Sequence, residues 1–526
     1  AAQLPAAAPG YAALNVAKIA AIARFTYRAP APLAAAPSAP LTIRNGRFVI
    51  GDTTLWGGAV NDAWWLGQTS PANALDAGMS ISRFVPGREG PGLTENLAEL
   101  AARVKAQGMP FYASSPAIWY DRRRDDHTIV GRADANVWAA FYELPWARSG
   151  QGSAQDGLSK YDLTRYNPWY FSRVAAFAAQ CDQRGIVLFH HLYNNHNLLE
   201  TAAHWTDFPW RPANNINDTG LPEPMPLEAR DRIHVANQFY DVANPKLRAL
   251  HRRYIFHVLD QLGTAKNIVF GLASQYSGPL AFQQFFGATV AEWESRHGRR
   301  VKLVLDTSKN VTDGLLADPA RAAQVAVIDM RYWHDLPDGS LWAPRGGDNL
   351  AFREMHPREF GDASTPELVY RQVRDYRARY PDKAIVAWHS GVGQVPALMA
   401  GGARVIMRNP TAGHGQGREA DRTPLDAFVQ SRLSAVLADM LPNDALVDAR
   451  RNWALADAAR RHVLLYAPDG AAIVLRAALP ASLRGTWFDP KSGQTREAAL
   501  PAQLVAGSSI ATPDSGGWLL YLQAAP

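Results

Sequence analysis

A single cysteine, Cys181, occurs in 526 residues, which excludes an internal disulfide and any metal site built from several thiolates. Its setting, Ala-Ala-Gln-Cys-Asp-Gln-Arg, reads as a small buried position on a helix. No run of 18 apolar residues exists, so no membrane-spanning helix is expected. No Lys/Arg tail accompanies the net charge of +6, which is spread along the chain, and no nucleic-acid partner is expected. No Gly-rich phosphate turn follows the first strand-like run, which argues against a doubly wound nucleotide-binding sheet. No recognised ligand spacing is present, so neither a metal nor another cofactor is expected. The start, Ala1-Ala2-Gln3, lacks a methionine and a charged leader. It fits an end left by signal-peptide cleavage, with a periplasmic or secreted location as the expectation, and other trimming would leave the same end.

What is there is apolar and aromatic. The chain is 47% hydrophobic and 10% aromatic with 16 Trp, enough for a large core and for rings that stack on sugars. Residues 1–40 end in an Ala/Pro stretch that reads as an extended linker. Residues 41–51 read as two strands around Asn45-Gly46, a strong hairpin signal. Eight apolar or β-branched runs follow, at 80–85, 110–114, 186–192, 268–272, 301–305, 325–330, 384–388 and 403–407. Stretches with helical spacing lie between them, at 93–107, 169–184, 245–263, 282–297 and 366–380. Strands alternating with helices predict a (β/α)₈ barrel over residues 41–445. From 446 to 526 the pattern changes to short strands between turns such as Pro490-Lys-Ser-Gly493, which predicts a small antiparallel β-sandwich.

Two long insertions, 116–168 and 193–244, follow the second and third strands. They leave the carboxyl ends of strands, where barrel enzymes place their sites. The first carries Trp119-Tyr-Asp-Arg-Arg-Arg-Asp-Asp-His127, including Asp126, and its arginine forks suit a uronate carboxylate. The second carries Trp205 and Trp210 among short polar residues and reads either as a sugar-binding wall or as a packed loop. The third strand ends in His190-His-Leu-Tyr-Asn194; alternation sends His190 and His191 to opposite faces, so only one can point into a site. His191 and Asn194 suit sugar hydroxyls. The sixth strand ends in Asp329, Arg331 and Tyr332. An aspartate in an apolar strand is costly unless paired or functional, and an ion pair with Arg331 or Arg408 is the structural alternative to a catalytic role. Asp306 ends the fifth strand in an ordinary polar turn and carries less weight. The seventh strand ends in Trp388 and His389, with no carboxylate.

These motifs resemble a bacterial family of secreted glycoside hydrolases, distantly similar to apiosidase-type barrels. The resemblance rests on residues 119–127, Gly157–Leu163, Asn167-Pro-Trp169, His190–His196, Phe208-Pro-Trp-Arg-Pro212 and Ile328–Trp333. Trp487-Phe-Asp-Pro-Lys-Ser-Gly493 and Gly517–Tyr521 resemble the sandwich often appended to such enzymes. The resemblance implies that Gln275, in Ser274-Gln-Tyr-Ser-Gly278, stands where the family carries the glutamate that protonates the leaving sugar. It also implies an oligosaccharide or polysaccharide substrate and makes Asp329 the candidate partner carboxylate. The expected catalytic pair is therefore Gln275 and Asp329. Trp119, Asp126, His191, Asn194, Trp210, Arg331, Tyr332, Trp388, His389 and Arg408 are expected to contact substrate. A glutamine there leaves two rivals: a carbohydrate-binding pseudo-enzyme, and a polysaccharide lyase using His or Tyr as base.

Overall fold

The structure is a computed structural model. It describes residues 39–61, 97–114, 116, 144–154, 159–194, 198, 205, 208–223, 233–274, 276–330, 333–336, 338, 340–342, 364–388, 393–406, 422–480 and 482–524. Eight parallel strands form one sheet: β1 (Ala59–Asn61), β2 (Phe111–Ser114), β3 (Val187–Asn194), β4 (Ile268–Ser274), β5 (Leu303–Asp306), β6 (Val325–Asp329), β7 (Ala384–Trp388) and β8 (Arg404–Ile406). Each strand pairs with the one before it in sequence. Helices lie between them: α1 (Leu97–Ala106), α2 (Pro168–Arg184), α3 (Pro245–Leu262), α4 (Leu280–His297), α5 (Lys309–Leu316), α6 (Pro366–Arg379) and α7 (Gln394–Met399), with α8 (Pro424–Phe428) after β8.

Alternation along the strands separates two layers. Phe111, Phe189, Val269, Val304, Val327, Ala384 and Val386 fill the interior, while Tyr112, Leu188, Phe270 and Leu303 pack outward under helices. The sheet curls on itself. The Arg404 guanidinium of β8 sits 4.7 Å from the Phe111 ring of β2 and 4.1 Å from the Phe189 ring of β3, although these strands stand near opposite ends of the strand order. Such rows of branched and aromatic side chains are the packed core of a (β/α)₈ barrel.

The expected hairpin is present, with strands Leu41–Arg44 and Arg47–Ile50. Asn45 and Gly46 both take positive φ, 48° and 71°, as a type I′ turn requires. It closes the amino-terminal end of the barrel. Phe48 meets Phe111 at 5.2 Å and Phe189 at 5.8 Å. Arg47, fully buried, donates to the carbonyls of Leu398 and Gly402. Burial, with Arg377 close by, lowers its pKa to about 9.

One strand assignment is corrected. The place beside β2 belongs to Ala59–Asn61, whereas 80–85 lies outside the described residues. Three residues are too few to show a period of two, so β1 carries no legible pattern in the sequence. Cys181 is buried on α2 as expected, and burial raises its thiol pKa.

The C-terminal region forms a six-stranded antiparallel sheet and a two-stranded one, a small β-sandwich. The larger sheet runs in the order Leu441–Pro442, Trp453–Ala456, His462–Ala467, Trp518–Ala524, Leu483–Phe488, Thr495–Glu497. Trp487 and Trp518 are buried in its core. It packs on the barrel: Tyr370 of α6 stacks on Trp453 at 4.3 Å, and Phe428 of α8 stacks on Phe488 at 4.2 Å.

Candidate functional site

Toward the carboxyl ends of the strands the barrel interior turns from apolar to polar. On β3 the inward residues are Val187, Phe189 and then His191; on β5 they are Val304 and Asp306; on β6, Val327 and Asp329. Asp306 pairs in register with Asp329, Asp329 with Val386, and Val386 with Arg404. Two carboxylates and a guanidinium are thus borne by one row across four adjacent strands. All three side chains are buried, Asp329 and Arg404 completely.

His191 lies across Gly271 of β4, its partner in register. A Cβ at Gly271 would fall 2.8 Å from His191 Nε2 and 3.0 Å from Val304 Cγ1, and closer still to His191 Cδ2. Glycine is therefore required for the ring to lie there. Nε2 stands 3.2 Å from Asp306 Oδ2, with both side chains buried. His190 points the other way, as alternation predicts. Its Nδ1 is 3.2 Å from Ser114 Oγ, and burial, with His191 alongside, lowers its pKa to about 3.

Gln275 lies outside the described residues, but its neighbours are anchored. Ser274 pairs with Asn194, and the Tyr276 amide donates to the Asp306 carbonyl at 2.8 Å. The Ser308 amide donates to the Tyr276 carbonyl at 3.0 Å, and the buried Tyr276 hydroxyl donates to the Pro279 carbonyl at 2.8 Å.

The described parts of the two insertions form one layer over α3. The ribbon Trp146–Arg148 and Tyr161–Tyr166 joins the second insertion through the Ile216 amide to the Tyr161 carbonyl, 3.0 Å, and the Leu163 amide to Asn217 Oδ1, 2.6 Å. This layer overturns the expected role of Trp210. Its ring is fully buried, stacked on His251 at 4.6 Å and edge-on to Trp146 at 5.9 Å and Phe239 at 5.0 Å. Trp205 is likewise buried. The packed-loop alternative holds for both, because the insertion needs an apolar core of its own. His251 joins the layer to the barrel: its Nε2 donates to the Phe239 carbonyl, and its Nδ1 accepts from the Tyr193 hydroxyl, each at 2.8 Å.

Of the other expected contacts, Asn194 and Trp388 end β3 and β7, where only their backbone is described. Trp119, Asp126, Arg331, Tyr332, His389 and Arg408 lie outside the described residues. Asp306, given less weight from the sequence than Asp329, is buried at the end of β5 beside His191. The available signal was its place two residues after Val304 on an inward-facing row, which a polar turn masks. Among the described residues, no group of three or more His, Cys, Asp or Glu could hold a metal ion, and no helix is long and apolar enough to cross a membrane.

Known structures share this fold at low identity. A candidate glycoside hydrolase from Bacteroides vulgatus ATCC 8482 is similar at 10% identity, covering 93% of this chain and 84% of that one, with a TM-score of 0.51. A family 5 glycoside hydrolase from the same organism matches at 9% identity over 92% of this chain and 93% of that one, with a TM-score of 0.48. No protein of curated function matches the sequence significantly. Residues 10–413 match the family described as a domain of unknown function (DUF6298), and the chain belongs to that family.

Proposed function

We propose that this protein is a barrel glycoside hydrolase, secreted or periplasmic, acting on a plant or bacterial polysaccharide or oligosaccharide, with an acidic glycan favoured. The observation that carries the reading is the polar layer of His191, Asp306 and Asp329 at the carboxyl ends of β3, β5 and β6. Barrel enzymes place their chemistry at that face. Glycoside cleavage needs two carboxyl groups, one to protonate the leaving oxygen and one to act as base or nucleophile. Gln275 occupies the acid position in this reading and Asp329 is the partner. The shared fold with the Bacteroides vulgatus protein supports the reaction class by analogy alone. Trp119, Asp126, His191, Asn194, Arg331, Tyr332, Trp388, His389 and Arg408 remain the proposed sugar contacts; Trp210 is not among them.

A carbohydrate-binding pseudo-enzyme is the second reading, favoured by Gln275 itself, because an amide has no proton to give at this position. One experiment separates them. The Gln275→Glu variant is screened against cell-wall digests beside the unaltered chain. Hydrolysis is expected to rise about 10²–10⁴-fold, the usual worth of a general acid. Adding Asp329→Asn then abolishes turnover while glycan binding persists. Binding without hydrolysis by Gln275→Glu would establish the pseudo-enzyme instead. A product with an absorbing double bond would establish a lyase.

A further inference from the structure

We propose that Asp306 is a positioning residue for His191: it holds the imidazole proton on Nε2 and so presents Nδ1 to the barrel interior as a hydrogen-bond acceptor for a ligand hydroxyl. The inference rests on the sugar-site reading only for the nature of that ligand. Its geometric basis is independent. The Cδ2–Nε2 edge of His191 lies down on Gly271, so the opposite edge, with Nδ1, turns away from β4 toward the barrel interior. Nε2 faces Asp306 Oδ2 at 3.2 Å. A carboxylate accepts and never donates when ionised, so this contact favours the tautomer with hydrogen on Nε2. At 3.2 Å the two atoms lie within reach but outside hydrogen-bond geometry as they stand, and hydrogen bonds of functional sites are often poorly aligned until a ligand is bound. Among the described residues nothing bonds Nδ1.

Asp306 also acts through its main chain. Its carbonyl accepts from the amide of Tyr276, the residue after Gln275. One residue therefore sets the imidazole through its side chain and anchors the end of β4 through its backbone. Gly271 completes the seat, since any side chain there would lift the ring off the carboxylate.

The test is the nitrogen-15 spectrum of the histidine side chains in the full chain, recorded above the ordinary imidazole pKa. The His191 signal is identified by its disappearance in His191→Gln. The unaltered protein is expected to show hydrogen on Nε2 and a bare Nδ1. Asp306→Leu removes the acceptor, and the single Nε2–H signature is expected to give way to a mixture of both tautomers. Gly271→Ala leaves the carboxylate but displaces the ring, and should also lose the original signature, which keeps the test open if one variant fails to fold. Hydrogen on Nδ1 in the unaltered protein, or an unmixed Nε2–H signature persisting in Asp306→Leu, overturns the proposal. Glycan affinity separates the two readings. Asp306→Leu should bind about 3- to 10-fold more weakly, the worth of one hydrogen bond to a neutral group. A mixed signature with no glycan bound by any variant refutes the sugar reading and leaves the tautomer assignment standing. A mixed signature with undiminished glycan binding refutes the role of Asp306 in ligand recognition.

Discussion

At the scale of single residues, burial keeps two histidines neutral, His190 and His251. Burial lowers each pKa from 6.5 to about 3, so both stay neutral when folded. The unfolded chain takes up a proton at each once pH falls below 6.5. Their contribution to stability is therefore complete above pH 6.5 and is lost progressively as pH falls toward 3. His251 allows a clean measurement because its partners, Tyr193 and Phe239, are both defined. In His251→Asn the slope of unfolding free energy against pH over that window should flatten by about 1.4 kcal/mol per pH unit. Urea titrations at a series of pH values read it, and an unchanged slope would mean that His251 titrates alike in both states.

Among the elements, the amino-terminal hairpin shows how local chemistry and tertiary contact combine. The Asn-Gly pair makes the turn, and the turn's carbonyls then serve the barrel. Arg377 of α6 donates to the Asn45 carbonyl at 2.9 Å and to the carbonyls of Pro381 and Lys383, each at 2.9 Å. A Cβ on Gly46 would strike that guanidinium, and φ at 71° already disfavours any other residue. Gly46→Ala should cost about 1–3 kcal/mol, combining backbone strain with displacement of a buried arginine. A thermal midpoint equal to that of the unaltered protein would show that Arg377 yields freely and that the hairpin braces nothing.

At the level of the whole molecule, barrel and sandwich share one apolar cluster. It runs from Ile328 and Ile385 of the sheet through Val369, Val373 and Phe428 to Trp453, Leu464 and Phe488. Polar contacts tie the same seam, where Asp444 accepts from the Tyr370 hydroxyl at 2.6 Å and from Arg374 at 2.8 Å. Calorimetry should accordingly show one unfolding transition. Phe488→Ala, which removes a ring stacked on Phe428, should lower it as a whole by about 3–5 kcal/mol. A separate barrel transition left in place by this variant would mean that the two parts unfold independently.

The periodic elements were legible in the sequence because their signals are local. The helices over 169–184 and 245–263 and the strands over 268–272 and 384–388 appear within a residue or two of their expected ends. Asn45-Gly46 specified its turn, and alternation alone sent His190 and His191 to opposite faces. Tertiary structure decided what depends on neighbours distant in the chain. Ala59–Asn61 is a strand only because Phe111–Ser114 offers it an edge. Trp210 resembles a sugar platform until His251, forty-one positions on, covers its face. Asp306 reads as a turn residue until the curl of the sheet brings it to His191, and nothing in either segment alone encodes that meeting. Period and propensity act over a few residues, whereas a buried contact between a histidine and a carboxylate on two strands exists only once the barrel has formed around it.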